Sequence, residues 1–330
     1  MKTSNINSGR SHGRRRFLRA LIAAMLAALT FISAVGCAAP DTRESIVCSS
    51  AVIAEWTRAV LGEDADTVNI VTLGARGEDV HSYQPTVRDI AAVARCAVFI
   101  RNGGISETWA DKVIASSGNE GMLTLALCEE LEPMLCGDAE QGHGHEHSHD
   151  GHEHEYDEHI WLSFDLSCES VSLICETLSE ARPDRAALYG ENAAAYISSI
   201  RGIEAEYAAL RADCAGKAAV ICDRDPFEYL WDYLGIEVEA AYEGCSAESE
   251  ASFSVVSRLS RYIDGHSLDC VLICESSDGG IADAVISATR DKNARILTLD
   301  SMQSALDGGY TGALKHNLGV LREALGVNGD

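Results

Sequence analysis

The chain has 330 residues, 46% of them apolar, with 26 Lys and Arg against 51 Asp and Glu and a formal net charge of −25. That length and apolar fraction exclude a disordered or single-helix protein and leave room for two lobes. The charge excludes nucleic acid and anionic lipid headgroups as partners and favours cations.

All basic residues of the first 36 (Lys2, Arg10, Arg14, Arg15, Arg16, Arg19) stand without a single acid, so the remainder is more acidic still. Arg14-Arg15-Arg16-Phe17-Leu18-Arg19 precedes an apolar stretch, Leu21 to Val35, which ends at Gly36-Cys37. A basic start, a short apolar run and small residues before a cut make a secretory signal peptide over 1–36. The run is short for a membrane span. Ala34-Val35-Gly36-Cys37 resembles a lipobox without its usual first Leu, and the arginine run resembles the twin-arginine export pattern. Cys37 is then the lipidated first residue of the mature chain. The protein is expected outside the cytoplasmic membrane, lipid-anchored to its outer face.

Short apolar, β-branched runs follow at Ser45–Ser49, Val68–Leu73, Ala97–Arg101 and Leu123–Leu127, and again at Ala218–Cys222, Glu237–Ala241, Cys270–Cys274 and Arg295–Leu299. Helical patterns alternate with them, among them Ala51–Leu61, Thr86–Ala94 and Ser252–Asp264. This alternation predicts an α/β protein of two lobes, each a mostly parallel sheet flanked by helices. Between the two sets, Ala193, Ile197, Ile200, Ile203 or Glu204, Tyr207 and Leu210 recur at steps of three and four. No turn signal interrupts Glu191 to Asp213, so one long rigid helix over 190–213 is expected to join the lobes. An N-terminal lobe over 37–189 and a C-terminal lobe over 214–330 complete the division.

Between the fourth strand and that helix lies the run Gln141 to Ile160, QGHGHEHSHDGHEHEYDEHI. His143, His145, His147, His149, His152 and His154 alternate with Gly, Asp, Glu and Ser, and His159 closes the run. Such a segment has almost nothing apolar to bury. Imidazoles with carboxylates suit zinc and other borderline cations, so 142–159 reads as a metal-collecting histidine-rich loop.

Candidate ligands fall on one edge of the predicted sheets. His81 follows the second strand through a Gly-rich loop, and Asp223, Glu275 and Asp300 each follow a second-half strand. Ligands of open α/β sheets bind outside the carboxyl ends of strands. For Asp223 and Glu275 a helix N-cap is the competing role. Twelve cysteines are present; without Cys37 eleven remain, an odd number, with no CxxC pair. Several lie in apolar strands, so most are expected as buried thiols.

Five segments carry a family resemblance. Val80-His81-Ser82-Tyr83-Gln84-Pro85-Thr86 with Arg88-Asp89-Ile90 matches PHxYxPTPxDI. Ile100-Arg101-Asn102-Gly103-Gly104 with Glu107-Thr108-Trp109 matches YNGxGLExW, and Asp157-Glu158-His159-Ile160-Trp161-Leu162 matches DPHVWLDP. Glu191 to Tyr196 and Leu299-Asp300-Ser301-Met302 match a connecting helix and a C-terminal aspartate segment. The chain thus resembles the metal-binding solute-binding lipoproteins of ABC transporters, the zinc/manganese family, and its histidine-rich insertion resembles the zinc branch.

The resemblance implies a metal held by His81, His159 and Asp300, and a role in capturing Zn²⁺ and delivering it to a membrane permease, as a monomer and without catalysis. The family's remaining ligand position falls on Arg224, which cannot coordinate a cation. Asp223, Asp225, Glu275 or a water completes the shell, with Glu275 favoured for its place at a strand end. Mn²⁺ or Fe²⁺ as cargo, a surface zinc hydrolase, and an adhesin or metal buffer are the other readings.

Overall fold

In a parallel sheet both faces are covered, and its strands are correspondingly apolar throughout. The computed structural model, which describes residues 44–74, 83–137, 156–243, 252–303 and 308–327, shows two such sheets. The first has the order β2-β1-β3-β4 and comprises β1 (Ser45–Cys48), β2 (Asn69–Thr72), β3 (Val98–Arg101) and β4 (Leu123–Ala126). The second has the order β6-β5-β7-β8, from β5 (Ala218–Asp225), β6 (Glu237–Glu243), β7 (Cys270–Cys274) and β8 (Arg295–Leu299). All six pairings are parallel. Every residue of the central strands β3 and β7 is buried.

The eight predicted strands are all present. Two run further than their apolar residues indicate. β5 continues past Cys222 through Asp223-Arg224-Asp225, paired with Tyr242 and Glu243 of β6 after a register shift between Ile221 and Arg224. Asp223 therefore lies inside a strand rather than just after it, which corrects the sequence expectation. The charged tail lacked the apolar pattern of a strand; pairing with β6 carries it.

In each sheet the connections leave in opposite directions between the two central strands, β1 and β3 in one, β5 and β7 in the other. The carboxyl ends at these switch points are where α/β folds bind ligands. Ser49 and Asn102 follow the first pair, and Glu275 follows β7.

Helices cover the sheets. In chain order they are α1 (Ala51–Leu61), α2 (Val87–Val93), α3 (Thr108–Ser117), α4 (Leu127–Gly137), α5 (Phe164–Ala181) and α6 (Ala186–Ala212), then α7 (Glu228–Leu234), α8 (Phe253–His266), α9 (Gly280–Ala288) and α10 (Gly309–Ala324). Ser50, Ser163 and Ser252 cap α1, α5 and α8, each accepting a backbone N–H three residues on. Thr86 and Asp89 form a reciprocal capping box on α2. None of the described helices is long and apolar enough to cross a membrane. The predicted signal peptide, Cys37 and the loop histidines from His143 to His154 lie outside the described residues.

α6 joins the lobes. Its 27 residues span roughly 40 Å at 1.5 Å per residue. It buries Tyr189, Ala193, Ile200, Ile203, Tyr207 and Leu210, and Ile197 packs alongside, which is the predicted stripe. It begins earlier than Glu191, after the Pro183–Arg185 turn, and passes through Gly190 without a break. One apolar core runs from Ile46 and Val98 of the first sheet through Trp161, Tyr207 and Tyr310 to Ile221 and Leu272 of the second. The lobes thus share a core, and two smaller clusters fill the outer faces.

Gly190 and Gly202 are exposed helical positions at which a Cβ would meet nothing within 4 Å. Neither has a positive φ. Each Gly→Ala change is expected to stabilise the protein by ~0.5–1 kcal/mol, read from urea unfolding midpoints, because alanine loses less backbone entropy in a helix.

Candidate metal centre

His159 is only 3% exposed, so its surroundings decide its chemistry. Asp157 Oδ1 accepts from both the His159 backbone N–H, at 2.9 Å, and ring Nδ1, at 2.5 Å. That pairing places the proton on Nδ1 and leaves Nε2 as the lone-pair nitrogen, the arrangement that orients a metal-binding imidazole. Nε2 lies 3.4 Å from Gln303 Nε2, and the Trp161 ring stands edge-on at 5.3 Å between centroids.

The segment around His159 is held from the first lobe by a buried polar group. Asn102 Nδ2 donates to the Glu158 carbonyl at 2.9 Å. The Glu158 carboxylate accepts from the Ile105 and Ser106 backbone N–H groups. Asn102 N–H donates to Ser49 Oγ at 3.0 Å, and Gly103 N–H to Glu107 Oε2 at 2.9 Å. Gly103 and Gly104 have φ of 85° and 75°, and a Cβ on either would overlap the Glu129 or Glu158 carboxylate. This explains the paired glycines of the Asn102-Gly103-Gly104 motif.

Asp300 follows β8. Its Oδ1 accepts from Met302 N–H at 2.8 Å, while its backbone N–H and carbonyl pair with the fully buried Asn317 side chain, each at 2.8 Å. Met302 adopts φ of 61° to close that turn. Glu275, at the end of β7, accepts from Ser301 N–H through Oε2 and Ser301 Oγ through Oε1, both at 2.8 Å. Asp223 bridges β5 and β7, with Oδ1 accepting from Arg224 N–H at 2.8 Å and Oδ2 from Cys274 N–H at 3.3 Å. Asp225 accepts from Trp231 Nε1 at 2.9 Å and Phe227 N–H at 3.1 Å. Burial raises the Asp225 carboxyl above its usual range; the Asp157 charge adds to this and His159 opposes it. Asp225 therefore sits within electrostatic reach of the Asp157–His159 pair.

Two of the predicted residues, Glu275 and Asp300, are thus joined through one neighbour. Ser301 is bonded to Glu275, follows Asp300, and accepts from Trp161 Nε1 at 2.9 Å through its carbonyl. His81 lies outside the described residues. Among the described residues, no three His, Cys, Asp or Glu side chains form a group that could hold a metal ion. Asp157, Ser301 and Asn317 were not picked out from the sequence. For Asp157 the clue was available, since it stands two residues before His159 in the same motif.

Burial pushes the Glu107 carboxyl up to about 7, against the Gly103 N–H, the Ser49 hydroxyl and the Arg101 charge, which lower it, while Glu158 raises it further. The folded chain holds this proton where the unfolded chain releases it, so the group's contribution to stability falls as pH rises between about 4.5 and 7. Glu107→Gln is expected to flatten the fall in urea midpoint across that window. An unchanged slope would show that Glu107 stays ionised.

Two lobes of parallel sheet are bridged by a rigid helix, and a buried imidazole lies where they meet. The family described as zinc-uptake complex component A, periplasmic (ZnuA), matches residues 46–324, and the chain belongs to it. That family consists of substrate-binding components of transporters, not enzymes. The zinc-binding lipoprotein AdcA of Streptococcus pneumoniae is 25% identical over 312 residues, covering 94% of this chain and 61% of the relative. The chain therefore spans about three fifths of that relative's length. The high-affinity zinc uptake protein ZnuA of Bacillus subtilis is 24% identical over 274 residues, with 82% and 84% covered. Among solved structures, the periplasmic zinc-binding protein TroA of Treponema pallidum matches with a TM-score of 0.70 at 22% identity, over 86% of this chain and 99% of that one.

Proposed function

We propose that this chain captures a divalent transition metal, Zn²⁺ first, outside the cytoplasmic membrane and hands it to an ABC permease. The observation that carries the reading is His159, buried at the junction of the lobes with Nδ1 on Asp157, which leaves the lone pair on Nε2, 3.4 Å from Gln303 Nε2. The names of the relatives, a zinc-binding lipoprotein and a zinc uptake protein, support zinc. His81, His159 and Asp300 are the proposed ligands. Two imidazoles with one or two carboxylates suit zinc near 2.0–2.2 Å. The loop histidines His143 to His154 gather further ions weakly, and Cys37, freed of residues 1–36, carries the lipid anchor. In this reading the N-terminal lobe is 37–189, the connecting helix 190–213 and the C-terminal lobe 214–330, and the protein acts as a monomer. Mn²⁺ or Fe²⁺ is the alternative cargo.

The test is competition for bound metal between the protein and a calibrated chelator. His159→Ala and Asp300→Ala are each expected to abolish tight binding of one Zn²⁺ per chain, and Mn²⁺ is expected to be displaced by Zn²⁺. Wild-type affinity in either variant removes that residue from the site.

The fourth ligand is proposed to be Glu275, with Asp223 as the alternative. Glu275→Gln is expected to weaken zinc binding by at least ~1.4 kcal/mol, a factor of ten. Ser301→Ala deletes one hydrogen bond to the same carboxylate and leaves its charge, so it should cost less. Equal losses in the two variants would assign Glu275 to bracing Ser301, and a larger loss in Asp223→Asn would move the ligand there.

A further inference from the structure

His159 and Asp300 belong to segments 141 positions apart in the chain, and the separation between them must be set by something other than local structure. The segment 157–161 is fastened to both lobes at once. The first lobe holds it through Asn102 and the Ile105–Ser106 turn, as described above. From the other side, the Tyr229 hydroxyl donates to the Asp157 carbonyl at 2.7 Å. Trp161 Nε1 donates to the Ser301 carbonyl at 2.9 Å, and the Tyr310 hydroxyl donates to the Trp161 carbonyl at 2.7 Å. Ser301 directly follows Asp300, and Tyr310 opens α10. Both flanks of the connection between β8 and α10 are therefore tied to one residue, Trp161, two positions beyond His159.

The Tyr310 end is anchored in turn. Its backbone N–H meets both Glu55 oxygens at 2.7 Å, and the same carboxylate accepts from the Tyr196 hydroxyl of α6 at 2.9 Å. Gly309, at φ of 76°, allows this approach, since a Cβ there would lie 2.9 Å from Glu55 Oε1. Trp56 closes edge-on against the Tyr310 ring at 5.3 Å. Tyr310 is fully buried, and Trp161 and Ser301 nearly so. Water is thus kept from competing for these bonds.

We propose that Trp161 and Tyr310, with Tyr229, are positioning residues that fix the His159–Asp300 separation before a metal arrives and so set the rate at which the metal leaves. The proposal rests on the reading of His159 and Asp300 as ligands. Metal–ligand distances tolerate only about ±0.2 Å. A cross-lobe clamp spares the metal the work of drawing the ligands together. Loosening the clamp lets one ligand detach without unfolding either lobe, and changes of this kind appear mainly in the off-rate.

The experiment measures Zn²⁺ release from the mature chain by stopped flow into excess chromogenic chelator. Trp161→Phe keeps a ring against His159 and removes Nε1–H; Tyr310→Phe removes only the hydroxyl. Each is expected to speed release about fivefold or more, as a loss felt in the off-rate. Tyr207→Phe is the control, because it deletes a comparable buried bond, from the Tyr207 hydroxyl to the Leu314 carbonyl at 2.7 Å, away from the candidate ligands. Its release rate is expected to match wild type. If Tyr207→Phe accelerates release as much as Tyr310→Phe, the effect is general softening and the proposal is overturned. Wild-type rates in both Trp161→Phe and Tyr310→Phe overturn it as well. Should Trp161→Phe not fold, Tyr310→Phe against Tyr207→Phe decides alone. Asp300→Ala tells this failure from that of the ligand reading: tight zinc retained there means that Asp300 is no ligand, whereas zinc lost there with unchanged release in the clamp variants means that only the clamp is wrong.

Discussion

A buried imidazole can offer one nitrogen to a cation only if its other nitrogen is satisfied, and the Asp157–His159 pair meets that condition. The rest of the local structure follows from keeping this pair in place. The 157–161 backbone has polar groups that cannot be left without partners away from water. Asn102, Tyr229 and Tyr310 take up its carbonyls, two of the three from the second lobe. The histidine is therefore located by both sheets rather than by its own strand or helix.

That arrangement needs lobes that do not drift. A flexible linker would not hold hydrogen bonds across them, but α6 is a continuous helix and the main apolar cluster extends through both sheets. Domains that share a large apolar contact move less than domains joined by a small polar one. The cross-lobe bond of Tyr310 is embedded in that core. Tyr310 therefore buries an apolar ring and ties a carbonyl across the lobe boundary.

Much of the fold was legible because its strands are buried on both faces. A run such as Val98–Arg101 or Cys270–Cys274 has no polar alternation to confuse it with a surface strand, and turn formers bound it. The tail of β5 was not legible, since Asp223-Arg224-Asp225 has no apolar residue and only its partner strand makes it extended. The early start of α6 was hidden by Gly190, which punctuates a sequence but is tolerated in a helix held by tertiary packing. At the site, His159 could be found from its own neighbourhood. Its support could not, because Trp161 meets Ser301 across 140 positions and Tyr310 meets Trp161 across 149. Such contacts leave no local pattern.

The cysteines raise a last physical question, because thiolates are strong zinc ligands and twelve Cys accompany the proposed ligands, which are imidazole and carboxylate. The nine described cysteines are all free thiols, and eight are buried. Only a deprotonated thiol competes for a metal. Burial pushes Cys48 and Cys168 up to about 11 and Cys96 and Cys222 up to about 12. Cys128 and Cys274, closest to the acidic groups behind the site, are pushed higher still by burial and by neighbouring carboxylates. Burial first, and the neighbouring carboxylates second, thus keep these sulfurs protonated. The same burial lets these residues serve as small apolar packing groups, and it separates the described thiols from the chemistry the histidines offer.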